Sequence, residues 1–253
     1  MKTLLLATFG FAVLLNSLVA ESRPTFDVAS VKQSTSRFFA GVKTDPGRLT
    51  AAGASLNALI QQAYGLPDLR ITGIPIRFGE FDIEGRAEGS HTRSELLQML
   101  QTLLADRFKL TLHRELKELP VGALVVGKSG PKLQPVAANE SDPNISLRPE
   151  RYTETVGLVS ITGRNVTLPF VANYLSDRFR RIVVDKTGLS GAFDFSVELA
   201  MDRNEVRDPS VSERDIVAQL HTDLVQKIGL RLDAQKALVE ILVVDHVEKP
   251  DEN

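Results

Sequence analysis

The chain is expected to fold as α+β: a mostly antiparallel sheet with helices packed on one face. The expected unit is β-α-β-β-α-β-β, present twice. Three observations lead there. Residues 157–198 repeat residues 47–84, with Thr50 recurring as Thr162, Ser55 as Thr167, Leu56 as Leu168, Phe81 as Phe193 and Asp82 as Asp194, each 112 positions on. Short runs with helical apolar spacing alternate with runs of strict apolar–polar alternation. Tight turns join most of the strands, which favours antiparallel pairing with helices gathered on one side.

The elements follow in order. A strand is expected over residues 26–31, and the Pro46-Gly47 turn leads into another over residues 48–52. Ser55 caps a helix whose apolar stripe is Leu56, Leu59, Ile60 and Ala63, and Gly65 stops it. A short strand over residues 69–72 precedes the alternating strand Phe81-Asp82-Ile83-Glu84. Thr92 and Glu95 have capping-box spacing, and Leu96, Leu97, Leu100, Leu103 and Leu104 form the stripe of the helix they start. A strand with Leu110 and Leu112 follows, then a polar hairpin rim over residues 114–118 and a strand over residues 121–126.

The second half repeats the order. A strand spans residues 158–162, and Thr167 caps a helix with Pro169 in its first turn. Its stripe is Leu168, Val171, Ala172 and Leu175. Strands are expected over residues 181–184 and at Phe193, Phe195 and Val197. Ser212 and Asp215 mirror Thr92 and Glu95, 120 positions on, and open the last helix with Ile216, Val217, Leu220 and Leu224 inward. A strand at Leu230 and Leu232 precedes residues 238–244, apolar on both faces and therefore central in a sheet.

The N-terminus carries Lys2, an apolar run over residues 4–15 and Ala20 before Glu21, the pattern of a secretory signal peptide over residues 1–20. The remaining chain divides into a first half over residues 21–128, a Pro- and Gly-containing linker over 129–151, a second half over 152–248 and a polar tail over 249–253. The expectation is an exported protein, periplasmic or extracellular, without a transmembrane segment once the signal is removed. No cysteine is present, so the fold must hold by core packing. With 30 basic against 32 acidic residues, nothing draws the chain to nucleic acid.

Several strings have a familiar look: residues 47–51 with Ser55-Leu56 and Ala63-Tyr64-Gly65-Leu66, residues 103–110 with His113-Arg114-Glu115 and Leu119-Pro120, residues 184–195, and residues 243–250. Together they resemble an uncharacterised exported family, a domain of unknown function expanded in soil acidobacteria. Some of its members are fused to membrane metallopeptidases of the antibiotic-sensor type. The resemblance covers nearly the whole mature chain. It implies an extracytoplasmic sensing or binding module and carries over no catalytic residue.

Chemistry-bearing candidates are few. Asp82 and Asp194 occupy matching places in the two halves, and two facing carboxylates can split their pKa values and exchange protons. Strand alternation argues against this, because Phe81, Ile83, Phe193 and Phe195 point inward and turn both aspartates outward. Asp185, in Asp185-Lys186-Thr187-Gly188, is a third carboxylate candidate, although Lys186 breaks the Asp-Thr-Gly pattern of aspartic proteases. His91, His113, His221 and His246 lack metal-ligand spacing, and no cofactor-binding loop or nucleophile elbow is present. The leading expectation is a non-enzymatic binding, sensing or adaptor module of the envelope, its partner an envelope protein or peptide. Two other readings are a carboxylate-dependent hydrolase with its site between the halves, and a small-ligand sensor. An apolar pocket between the halves would favour the sensor.

Overall fold

A computed structural model describes residues 23–36, 41–76, 78–137, 142–202, 204, 207–208 and 210–251. The signal region therefore lies outside the described residues. The fold is mixed α+β with antiparallel-dominated sheets. The elements run β1 (Val28–Gln33), β2 (Val42–Asp45), β3 (Arg48–Ser55), α1 (Leu56–Tyr64), β4 (Ile71–Thr72), β5 (Glu80–Arg86), α2 (Arg93–Arg107) and β6 (Thr111–Val126). They continue with β7 (Gln134–Val136), β8 (Asn144–Tyr152), β9 (Val156–Val166), α3 (Leu168–Phe179), β10 (Val183–Asp185), β11 (Ala192–Asp202), α4 (Glu213–Lys227) and β12 (Leu230–His246). None of these helices is long and apolar enough to cross a membrane.

Among the described residues the strands form three four-stranded sheets rather than one. The first runs β1-β5-β3-β2, the third β7-β11-β9-β8, and both are antiparallel throughout. Their orders coincide when each strand is replaced by its counterpart six strands on. The middle sheet runs β10-β6-β12-β4. Its two long strands pair antiparallel, and each short outer strand pairs parallel with the long strand of the other half. Exchanging counterparts and reading this order backwards returns the same order.

Two expectations of strand layout are corrected here. The polar stretch at residues 114–118 is not a hairpin rim. β6 is one strand of 16 residues and β12 one of 17, paired from Thr111↔His246 to Val126↔Leu230. The backbone ladder runs on regardless of the side chains it carries, and the polar ones bridge across strands, as Arg114 does to Glu240. The stretch expected as a linker supplies β7 and β8, both edge strands, where Pro135 and Pro149 are tolerated. The central position expected for residues 238–244 agrees with the middle sheet, since β12 has a neighbour on each side.

Two cores result. The inner face of the first sheet (Leu49, Ala51, Phe81, Ile83) packs against α1 and α2 together with Leu242 and Val244 of β12. Ile161, Phe193 and Phe195 pack against α3 and α4 together with Leu124 of β6 and Leu230. Each half thus completes its core partly with a strand from the other half. A smaller separate cluster of Val121, Ile182, Val239 and Ile241 lies at the middle sheet.

Candidate functional site

The sequence-derived carboxylates come first. Asp82 lies in the first sheet, Asp185 in the middle one and Asp194 in the third. At Asp82 and Asp194 the two halves repeat one device. In β3 the ladder slips between Ala51 and Ala54, so two residues oppose the single Asp82. In β9 and β11 the same slip sets Arg164 and Asn165 against Asp194. The second bulge residue is left-handed in both, Gly53 at φ 63° and Asn165 at φ 50°. Its freed N–H donates to the aspartate Oδ1, at 2.8 Å for Gly53 to Asp82 and 2.8 Å for Asn165 to Asp194. Arg164 adds an ion pair to Asp194 at 2.6 Å. The Asn165 N–H and then Arg164 hold the Asp194 carboxyl below the usual aspartate range. Asp185 accepts from the Thr187 N–H at 2.9 Å and from its hydroxyl at 2.8 Å, which closes the turn after β10. No hydrogen bond or ion pair among the described residues joins these three carboxylates.

The histidines are similarly dispersed. His113 sits between Glu115 at 3.0 Å and Asp245 at 2.7 Å on the exposed face of the long ribbon, and both acids raise its pKa. His246 meets Glu248, and His91 meets the Glu88 carbonyl. His221 alone is buried, 2 % exposed.

A different place gathers groups from both halves. The Leu56, Leu59, Ile60 and Ala63 stripe of α1 turns inward and leaves Gln61 and Gln62 on the opposite face. α1 ends at left-handed Gly65, followed by Leu66 and Pro67. In α3 the buried stripe of Leu168, Val171, Ala172 and Leu175 leaves Phe170, Asn173, Tyr174 and Asp177 facing α1. The Asn173 amide donates to the Gly65 carbonyl at 2.9 Å and ties the two helices together. The start of α2 closes the third side with Arg93, Ser94 and Leu97, held by the capping box of Thr92 and Glu95. Between the three helices lies a cavity of about 550 Å³. Leu66, Pro67, Leu97, Pro143, Phe170 and Tyr174 supply its apolar wall, and Gln62, Arg93, Asp142, Asn173 and Asp177 its polar one.

Two of the wall groups are locked from behind. The Arg93 guanidinium donates to the Thr44 hydroxyl at 3.2 Å and to the Gln62 carbonyl oxygen at 3.0 Å, with Asp142 at 3.7 Å. Tyr174 meets His221 Nε2 at 2.9 Å, while His221 Nδ1 meets the Val217 carbonyl at 2.6 Å. A carbonyl only accepts, so Nδ1 carries the proton and the neutral ring accepts at Nε2 from the Tyr174 hydroxyl. Burial first, and Arg178 in addition, push His221 below the usual histidine range, against the raising effect of the Val217 carbonyl. The Arg178 guanidinium lies 4.9 Å over the Tyr174 ring, a cation–π contact. Loss of water raises the Asp177 carboxyl, and nearby Asp68 adds to the effect; Arg178, Arg180 and the Asp68 N–H oppose it.

Arg93, Tyr174 and Asp177 were not singled out from the sequence, and His221 was weighed there only as one of four histidines without metal-ligand spacing. One signal was available: Phe170 and Tyr174 stand at i, i+4 on the face of α3 opposite its apolar stripe.

No curated protein and no solved structure matches the chain. A family model described as protein of unknown function, DUF3738, matches residues 57–247, from α1 to the end of the long ribbon. With most of its length matched, the chain belongs to that family.

Proposed function

We propose that this protein is an exported binding or sensing module of the cell envelope whose ligand is a small molecule held between α1, α2 and α3. The observation that carries the reading is the cavity of about 550 Å³ at the junction of the halves, with aromatic and aliphatic walls and a few convergent polar groups. Small-molecule sites have this size and this mixture of lining. Export rests on Lys2, the apolar run over residues 4–15 and Ala20. A bacterial envelope setting rests on the resemblance alone. The two halves descend from one duplicated unit, a reading supported by the 112-residue offset, the matching outer-sheet orders and the twin aspartate-locked bulges. The hydrolase reading draws no support from Asp82, Asp185 and Asp194, since each answers backbone N–H groups in a different sheet.

The test is a screen of small amphipathic molecules against the chain lacking residues 1–20, read by thermal shift and by amide NMR. Hits are expected to move resonances of Leu97, Phe170 and Tyr174, and to be weakened in Leu97→Trp, whose larger ring narrows the cavity. Hits that bind Leu97→Trp undiminished, or that move only strand residues far from the three helices, would overturn the reading.

A further inference from the structure

Resting on that reading, we propose that the cavity takes an amphipathic carboxylate, its apolar body against Phe170, Tyr174 and Leu97 and its carboxylate on Arg93. Arg93 has the placement such a ligand needs. Thr44 behind it and Gln62 beside it fix the guanidinium plane through two of its five N–H groups. Its other N–H groups make no hydrogen bond to protein among the described residues, and the side chain is only 29 % exposed. A guanidinium fork held this way at the rim of an apolar cavity is matched by a planar carboxylate, which it engages with two parallel bonds.

The protein already offers a partial occupant. The Asp142 carboxylate approaches Arg93 to 3.7 Å, within ion-pair reach and beyond hydrogen-bond distance. It balances part of the Arg93 charge, and at this distance a ligand carboxylate that hydrogen-bonds the guanidinium directly can take its place. The other acids nearby do not compete. Glu95 is occupied by the Thr92 N–H at 2.8 Å and the Thr92 hydroxyl at 3.0 Å. Asp177, on the opposite helix, accepts from the Asp68 N–H and lies in the field of Arg178 and Arg180. The Tyr174 hydroxyl is turned to His221, so Tyr174 offers the cavity its ring.

Three probes of one shape and different charge test this: 2-naphthoate, 2-naphthylmethanol and 2-naphthylmethylammonium, each titrated by calorimetry into the chain lacking residues 1–20. 2-Naphthoate is expected to bind at least about tenfold tighter than the alcohol, with the ammonium weakest. Arg93→Gln is expected to weaken 2-naphthoate about tenfold and to leave the alcohol within about twofold, with Arg93→Lys intermediate. Asp142→Asn leaves Arg93 intact, removes the internal anion and is expected to tighten 2-naphthoate. Circular dichroism and melting confirm that each variant is folded. Equal binding of 2-naphthoate and the alcohol, or indifference of 2-naphthoate to both Arg93→Gln and Asp142→Asn, overturns the carboxylate assignment and leaves the cavity standing. No binding by any probe, or binding undiminished in Leu97→Trp, overturns the cavity reading itself.

Discussion

Asp82 and Asp194 show how one residue identity can carry backbone geometry instead of chemistry. Each accepts the N–H that a bulge frees, and the bulge in turn needs a left-handed residue. Glycine supplies that conformation at position 53 and asparagine at position 165, the two residues that adopt it at least cost. Gly53→Ala is expected to lower stability by about 1 kcal/mol and Gly53→Asn by less, measured by urea unfolding. Equal losses would mean that the left-handed conformation is not what position 53 requires. His221 makes a second case. Its folded pKa lies below its unfolded value near 6.5, so the unfolded chain takes up the proton first and stability falls as pH drops below about 6.5. Melting temperature is expected to decline from pH 7 to pH 5, and less steeply in His221→Gln. His113 shifts the opposite way. Its NMR titration midpoint is expected above 6.5, and Asp245→Asn is expected to bring it down.

The helices begin where their capping residues stand. Ser55 and Thr167 accept from the N–H groups of Ala58 and Phe170, at 3.2 and 3.3 Å, and Thr92 and Ser212 do the same for Glu95 and Asp215. Removing the Thr92 hydroxyl with Thr92→Ala is expected to cost about 1 kcal/mol in urea unfolding, and Ser212→Ala a similar amount. Because Thr92 sits at the cavity rim, Thr92→Ala is also expected to loosen Arg93. Strands follow a different logic. Leu116 and Leu238 project from the middle of the long ribbon, each 70 % exposed, while Leu124 and Leu242 on the same two strands are fully buried. Leu116→Thr is expected to change stability by less than about 0.5 kcal/mol, and Leu124→Ala to cost about 3 kcal/mol. Sequence hydrophobicity does not separate these leucines. The position of the helices along the ribbon does.

Across the molecule, each core takes in a strand from the other end of the chain, so the whole is expected to fold as one unit. Leu242 and Val244 close the first core, and Leu124 closes the second. A fragment ending at residue 128 keeps β6 but loses β12, and with it the ladder along all of β6 and the partner of β4. Such a fragment is expected not to fold as a monomer, as judged by sedimentation and circular dichroism, and the full chain is expected to unfold in a single transition. A cooperatively folded monomeric fragment would contradict this picture of shared cores.

The helix starts, most of the apolar stripes, the outward facing of Asp82 and Asp194 and the α+β class were legible from the amino-acid order. Each depends on side chains within a turn or two of one another, whose spacing follows the period of the local backbone. Leu97, however, read into the α2 stripe, lines the cavity, and in α4 His221 and Val225 are buried while Ile216 and Val217 are only half-buried. The unbroken run of β6 past Arg114 and Glu118, the two parallel pairings and the use of residues 134–136 and 144–152 as edge strands were not legible. Backbone ladders are made by N–H and C=O groups that every residue but proline carries, so side-chain pattern does not name the partner. The cavity was hidden for a related reason. Gln62, Arg93 and Tyr174 lie on three separate helices, and only the packing of α3 against the end of α1 brings them to one wall.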